Sequence, residues 1–389
     1  MVVRVYLDWN ASAPLRPQAR DALTAALDLA GNPSSVHGEG RAARRVIEQA
    51  REGVAALVGA DPRNVVFTSG GTEANALALA PVIEIDGEKR PLDRLLISAI
   101  EHPSVRAGGR FAPGRIEEIR VCQNGVVDLV ALERMLASGD RALVSIMAAN
   151  NETGVIQPVA QAAEIVHRHR GLLHVDAVQA AGRMPLDIDA LGADLMTLSA
   201  HKLGGAKGAG ALVKRDEALH FPDPLIKGGG QERGARAGTE NIAAIAAFGA
   251  TAVAAKTNLA AEVRHTTALR DRIESGLRAL TPEAVVFGHE ADRLPNTTLV
   301  VVPGGKAETL VIGFDLDGVA VSSGAACSSG KVAPSHVLAA MGVPAELARG
   351  AIRVSTGPIT TNAEIDRFLE VWKKLVQRLS MKEKRGLAA

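Results

Sequence analysis

Cysteine is scarce. Cys122 and Cys327 are the only two in 389 residues. One pair cannot build a disulfide framework, and so few thiols fit a reducing compartment. Aromatic residues make up 3%; beside the abundant alanine and glycine, this reads as compositional bias rather than mechanism. Charge of one sign is also lacking. Lys and Arg number 44 against 43 Asp and Glu, a formal net charge of +1, so nothing points to nucleic acid or an anionic membrane. No long hydrophobic run qualifies as a span, since stretches such as IAAIAAFGATAVAA are too rich in alanine and too interrupted. Met1 leads directly into the strand-like VVRVYLD, without the basic and apolar regions of a signal peptide. A soluble, cytoplasmic protein of about two domains is expected.

Strand and helix signals alternate through most of the length, which argues for an α/β architecture with a largely parallel sheet. VVRVYLDWNASAPLRP reads as an extended arm, PQARDALTAALDLA as a helix and GNPSSVHGEGR as a turn-rich connector. ARRVIEQAREGVAALVG places Val46, Ile47, Ala50, Val54, Leu57 and Val58 on one helical face. Around Cys122, IRVCQNGVVDL predicts a short strand, a turn at Asn124-Gly125 and a structural, partly buried thiol.

Polar groups recur where strands end. NVVFTSGGTEANALALA runs from strand through Gly70-Gly71 into a helix that Thr72 is placed to open, a suitable site for phosphate. It lacks the P-loop lysine and the full G-x-G-x-x-G, so a nucleotide is not indicated. RLLISAIEHPSV ends in Glu101 and His102. ALVSIMAANNETG ends in Asn150, Asn151 and Glu152, and LLHVDAVQAAG in Asp176 with Gln179. DLMTLSAHKLGGAKGAG presents Ser199, His201 and Lys202 before a glycine-rich turn. Each alone is as readily a helix cap, a core histidine or an ordinary loop lysine. In a parallel sheet, however, these carboxyl ends share one edge, where ligands collect.

A lysine amine that can form a Schiff base, a phosphate cradle, a carboxylate and a flat ring partner together describe a pyridoxal 5'-phosphate site. Lys202 would carry the cofactor. Asp176 would keep the pyridinium nitrogen protonated, and Gln179 would donate to the phenolic oxygen. His102 would stack on the ring and exchange protons with substrate. Thr72, Ser199 and His201 would hold the phosphate.

The segments YLDWNASAPL, GNPSSVHGEGRAAR, FTSGGTEAN, EHPSV, ANNETGVIQP, HVDAVQAAG, SAHKLGGAKGAG, GGGQERGARAGTEN, SSGAACSSG and GAIRVSTG resemble the cysteine desulfurases of the NifS/IscS group. These form part of the class V aminotransferases, on fold-type I of the pyridoxal phosphate enzymes. The resemblance covers nearly the whole chain, in the family's order. It implies a cofactor set of Gly71, Thr72, His102, Asn151, Asp176, Gln179, Ser199, His201 and Lys202. It further implies a homodimer in which Thr239 reaches the neighbouring subunit's phosphate. Arg353, with Asn32, would take the substrate carboxylate, to which an arginine fork is matched. No metal is implied. Trp9 and Ser12-Ala13 depart from the family's pattern in the N-terminal motif, which bears on how substrate gets in rather than on the chemistry.

Cys327 lies among glycine, alanine and serine in VSSGAACSSGKVAPSHVL, a composition expected of a mobile loop at about 322–334. The implied reaction takes L-cysteine to L-alanine, with Cys327, Lys202 and His102 catalytic. The Cys327 thiolate attacks the substrate sulfur and keeps it as a persulfide, for an iron–sulfur scaffold or a tRNA thiolation relay. His102 is the candidate to deprotonate the thiol. The expected division is a large cofactor-binding domain at 15–257 and a small domain of 1–14 and 258–389. Rival readings are a selenocysteine lyase or another class V enzyme, a non-catalytic sulfur-relay protein, and a dehydrogenase. Cys327 argues against a plain aminotransferase, and Lys202 with Cys327 against a relay. The glycines at 204–210 follow the lysine instead of forming a first-strand fingerprint.

Overall fold

The computed structural model describes residues 4–324 and 335–386, with side chains through 379. Cys327 and the rest of 325–334 lie outside the described residues. Among the described residues the largest sheet has seven strands, ordered Val65–Thr68, Gly210–Lys214, Leu195–Ser199, Leu172–Asp176, Ala142–Ser145, Arg94–Ser98 and Ile116–Ile119. Neighbours are parallel except at Gly210–Lys214, which runs against both of its partners. Only residues 200–209 separate that strand from the one before it, too few for a parallel crossover. The strands read as continuous apolar runs because helices cover both faces; LMTLS and GALVK are buried at every position.

A second, antiparallel sheet joins Val285–Val286, Thr297–Val301, Ile352–Ser355 and Ser322–Ser323. The N-terminal arm returns to this region, where Val5–Tyr6 pairs in parallel with Val319–Ala320. Its core holds Phe314 stacked on Phe368 at 5.2 Å, with Trp372 beside them. The Trp372 indole N–H donates to Thr281 Oγ1 at 2.8 Å.

One helix, Ile242–Leu280, serves both cores. Ile245, Phe248, Ala252 and Ala255 pack under the large sheet, and Leu269, Ile273 and Leu277 under the small one. It passes through residue 257 without a break, since no proline interrupts it. Its apolar window is long enough to cross a membrane, but 56% of that window is buried in protein, as in a core helix.

Two local features differ from expectation, and a third, a hairpin, has no counterpart in the sequence reading. The GEGR stretch opens the Gly38–Leu57 helix instead of belonging to the connector, because a His37 ring nitrogen accepts the Gly40 N–H at 3.3 Å and caps it. Residues 82–91 form a hairpin, Val82–Ile85 with Glu88–Pro91, turned by Asp86 and Gly87 at φ 54° and 77°. Cys122 is exposed, not partly buried. It opens a tight turn in which its own N–H bonds to Val126 O and its carbonyl accepts from Gly125 N–H, so its position serves the turn and not the core.

The Gly38–Leu57 and Ile242–Leu280 helices cross at two glycines. A Cβ on Gly249 would lie 2.4 Å from Ala50 Cα, and one on Gly53 would lie 2.9 Å from Gly249 O. Gly249→Val is therefore expected to destabilise the fold by about 1–3 kcal/mol or more, read as a lower denaturant midpoint. An unchanged midpoint would show that the helices separate freely.

Candidate active site

Six strands of the large sheet point the same way, so the residues that follow them meet at one edge. A cavity of about 290 Å³ opens there. Gly71, Thr72, His102, Asn151, Asp176, Gln179, Ser199, His201, Lys202 and Arg353 all line it. Asn10, Asn75 and Ser104 also line it and were not singled out from sequence. Asn75 could have been found, since it lies one turn beyond Thr72 on the same helix.

Lys202 sits in a four-residue turn of helix, Ala200–Leu203, directly after its strand. Gly204, at φ 91°, ends that turn. The Lys202 ammonium donates to the carbonyls of Asn10 and Ala11 at 2.5 and 2.9 Å. The N-terminal arm thus lies over the lysine. Gln179 Nε2 donates to the same Asn10 carbonyl at 3.0 Å. His201 is held well below its ordinary range, at about 4, by burial and then by Lys202 and Lys207. It is neutral at pH 7, with one N–H to give. Its Nδ1 lies 3.3 Å from Ser12 Oγ.

The end of the cavity expected to take phosphate differs in detail from expectation. Gly70, not Thr72, is the N-cap of the Gly71–Ala78 helix, and it supplies no side-chain cap. Thr72 is the second helical residue and is exposed. Glu73 turns back to accept the Ser69 N–H at 2.9 Å and pairs with Arg236 at 3.0 Å, leaving the helix start open to an anion. A Cβ on Gly71 would come within 3.0 Å of Val178 and 3.3 Å of Ser199, so only glycine leaves this gap clear.

At the opposite end Asp176 is buried. Its Oδ1 accepts the Val178 N–H at 3.0 Å, and its Oδ2 accepts from Asn75 Nδ2 at 2.8 Å. One strand layer below, His174 is bracketed by Ser145 Oγ at 2.8 Å and Thr197 Oγ1 at 2.9 Å. Burial pushes it down to about 4, against the pull of Asp176, so it is a neutral packing residue. His102 caps the short Pro103–Arg106 helix. Burial lowers its pKa, Asp176 opposes this and Lys202 adds to it.

Arg353, 2% exposed, comes from the small sheet. It donates to Asp8 Oδ1 at 2.7 Å and to the Asn151 carbonyl at 3.0 Å. Two neighbouring acids favour the neutral form. Glu101 is fully buried, and burial followed by the Asp176 charge raises it well above its ordinary range; its Oε1 accepts the Met147 N–H at 2.6 Å. Glu152 is pushed up to about 7 by burial, against the Ser335 hydrogen bond and Arg353. Thr239 is exposed and faces a separate hollow with Ser69, Gly208 and Arg236. Asn32 is also exposed, and its Oδ1 accepts the Ser34 N–H at 2.9 Å. Neither lines the 290 Å³ cavity.

The donor set fits pyridoxal phosphate: an uncapped helix start with Ser199 and His201 at one end, a buried carboxylate at the other and an amine between them. The aminotransferase class-V family model matches residues 5–368, and the chain belongs to that family of pyridoxal-phosphate-dependent enzymes, on fold-type I. More particularly, the chain is 44% identical to a cysteine desulfurase of Cereibacter sphaeroides, over 97% of this chain and 96% of that protein. It is 38% identical to the cysteine desulfurase IscS of Dictyoglomus turgidum, over 96% and 95%. The structure of a NifS-like protein from Rickettsia africae superposes with a TM-score of 0.87 at 36% identity, covering 96% of this chain and 99% of that one.

The raised Glu152 carboxyl makes stability depend on pH. Below its ordinary value of 4.5, the folded and unfolded states both hold the proton. Between pH 4.5 and about 7 only the unfolded state gives it up, so stability falls as pH rises and levels off above that window. Relative to Glu152→Gln, the parent should lose up to about 3 kcal/mol between pH 4.5 and 8, measured by denaturant unfolding. A difference that stays flat with pH would refute the assignment.

Proposed function

We propose that the protein is a pyridoxal-phosphate-dependent cysteine desulfurase, converting L-cysteine to L-alanine and passing the sulfur to Cys327. The observation that carries this reading is the single cavity in which Lys202 meets Asp176, His102, Ser199, His201 and Arg353. The desulfurase relatives add the substrate and the reaction. Pyridoxal phosphate, bound through the Lys202 amine, supplies an electron sink for bonds at the substrate's α-carbon.

The chain's own residues do the rest. Gly71, Thr72, Ser199 and His201 hold the phosphate, with Thr239 of each protomer serving the neighbour in a homodimer. Asp176 would hold the ring nitrogen's proton, Gln179 and Asn151 would contact the phenolic oxygen, and His102 would pack against the ring. Arg353 orients the substrate carboxylate, with Asn32 as its second contact. Lys202 would move the proton at the substrate's α-carbon. The Cys327 thiolate then attacks the substrate sulfur. An S–S bond forms and the substrate's carbon–sulfur bond breaks. Its electron pair stays with carbon, which takes a proton to become the alanine methyl. The persulfide goes on to an iron–sulfur scaffold or a thiolation relay, in the cytoplasm. In this reading 15–257 is the cofactor domain. Residues 1–14 and 258–389 are the small domain that brings Arg353 and Cys327.

The test is the visible spectrum together with alanine and sulfide release from L-cysteine plus a dithiol. Lys202→Ala should lose the cofactor absorbance. Cys327→Ala should keep it, yet release sulfide at least on the order of a hundredfold more slowly. Desulfuration by Cys327→Ala at the parent rate would overturn the mechanism.

A further inference from the structure

Two side chains between Asp176 and His102 have no part in the account above. Asn75 is 1% exposed. Its Nδ2 is 2.8 Å from Asp176 Oδ2 and 2.9 Å from Ser104 Oγ. Ser104 Oγ is in turn 2.7 Å from His102 Nδ1. The direction of each hydrogen follows from what the groups can do. Facing an acidic side chain, Asn75 must present its NH2 group, and the second N–H of that group then falls on Ser104 Oγ. With its oxygen already accepting, Ser104 has its own O–H left to give to His102 Nδ1. The Ser104 backbone N–H also points at Nδ1, at 3.2 Å. A hydroxyl can turn round, but a backbone N–H can only donate. The backbone N–H therefore requires a lone pair on Nδ1, and the hydroxyl then donates to the same atom.

We propose that Asn75 and Ser104 are positioning residues that hold His102 with its proton on Nε2 and so confine it to donating hydrogen bonds in the site. This rests on the reading above only in taking His102 as an active-site group. An imidazole held this way has no lone pair left with which to take a proton, because the one on Nδ1 is spoken for. His102 is then not the base that ionises Cys327. Protonating Nδ1 would set its new N–H against the Ser104 N–H and force the Ser104 hydroxyl to reverse. Among the described residues, the charged and titratable groups that act on the ring include Asp176, which favours the imidazolium, and Lys202, which opposes it. His336, whose Nε2 lies 2.9 Å from the Glu101 carbonyl, also interacts with it. The hydrogen-bond chain acts in the same sense as Lys202.

The test is ¹⁵N NMR of the cofactor-loaded protein labelled at histidine, with the His102 signals assigned by their loss in His102→Gln. The parent should show an unprotonated Nδ1 and a protonated Nε2 at pH 7. Ser104→Ala removes one donor to Nδ1, and the His102 titration should move to higher pH. Asn75→Ala frees the hydroxyl to reverse and leaves the Ser104 N–H as the one fixed donor to Nδ1, so the His102 titration should again move to higher pH. Ser104→Thr keeps the hydroxyl and should restore the parent spectrum. A parent His102 with the proton on Nδ1, or charged at pH 7, would overturn the proposal. So would parent-like signals in both Ser104→Ala and Asn75→Ala. These signals do not depend on turnover, so a protein that fails to desulfurate cysteine would refute the function and leave this reading standing.

Discussion

A backbone direction governs this molecule. Strands joined by crossover connections run parallel, and their carboxyl ends then lie along one edge. The polar groups that line the candidate active site gather there. Side chains beyond Ser98, Ser145, Asp176 and Ser199 converge on one cavity. Burial beside the sheet penalises every charge brought near it. Hence Glu101 and Glu152 are both raised above the ordinary carboxyl range, and His174 and His201 stay neutral. Asp176, by contrast, has both carboxylate oxygens engaged, one by Asn75 and one by the Val178 amide.

The small sheet completes the site from the other side. Arg353 arrives on its Ile352–Ser355 strand, and the N-terminal arm binds both halves together. Asp8 meets Arg353, while Asn10 offers its carbonyl to Lys202 and Gln179 and its side-chain amide to Thr297. The Ile242–Leu280 helix fastens the two cores from beneath. The cavity is thus framed by segments hundreds of residues apart. Its geometry depends on that framing as much as on any single strand.

Much of this was legible beforehand, for a physical reason. Continuous apolar runs that end in polar residues announce buried parallel strands, and a lysine after such a run announces the ligand edge. These are local signals, and the residues they single out, His102, Asp176, Gln179 and Lys202, all line the cavity. The Asp86-Gly87 hairpin carried an equally local signal in its turn residues and was passed over.

Other features could come only from packing in three dimensions. That Thr239 faces a separate hollow, that Cys122 is exposed and that Asp8 meets Arg353 depend on contacts between distant segments. No spacing in the sequence encodes those contacts. The same holds for the Asn75–Ser104–His102 chain, whose members are 29 and 2 residues apart along the chain. Sequence alone determined which groups reach the shared edge, because strand direction and side-chain chemistry are local properties. Tertiary structure decided which of them touch and in what protonation state. Hydrogen-bond partners and burial, which set a proton's position, exist only once the chain has closed on itself.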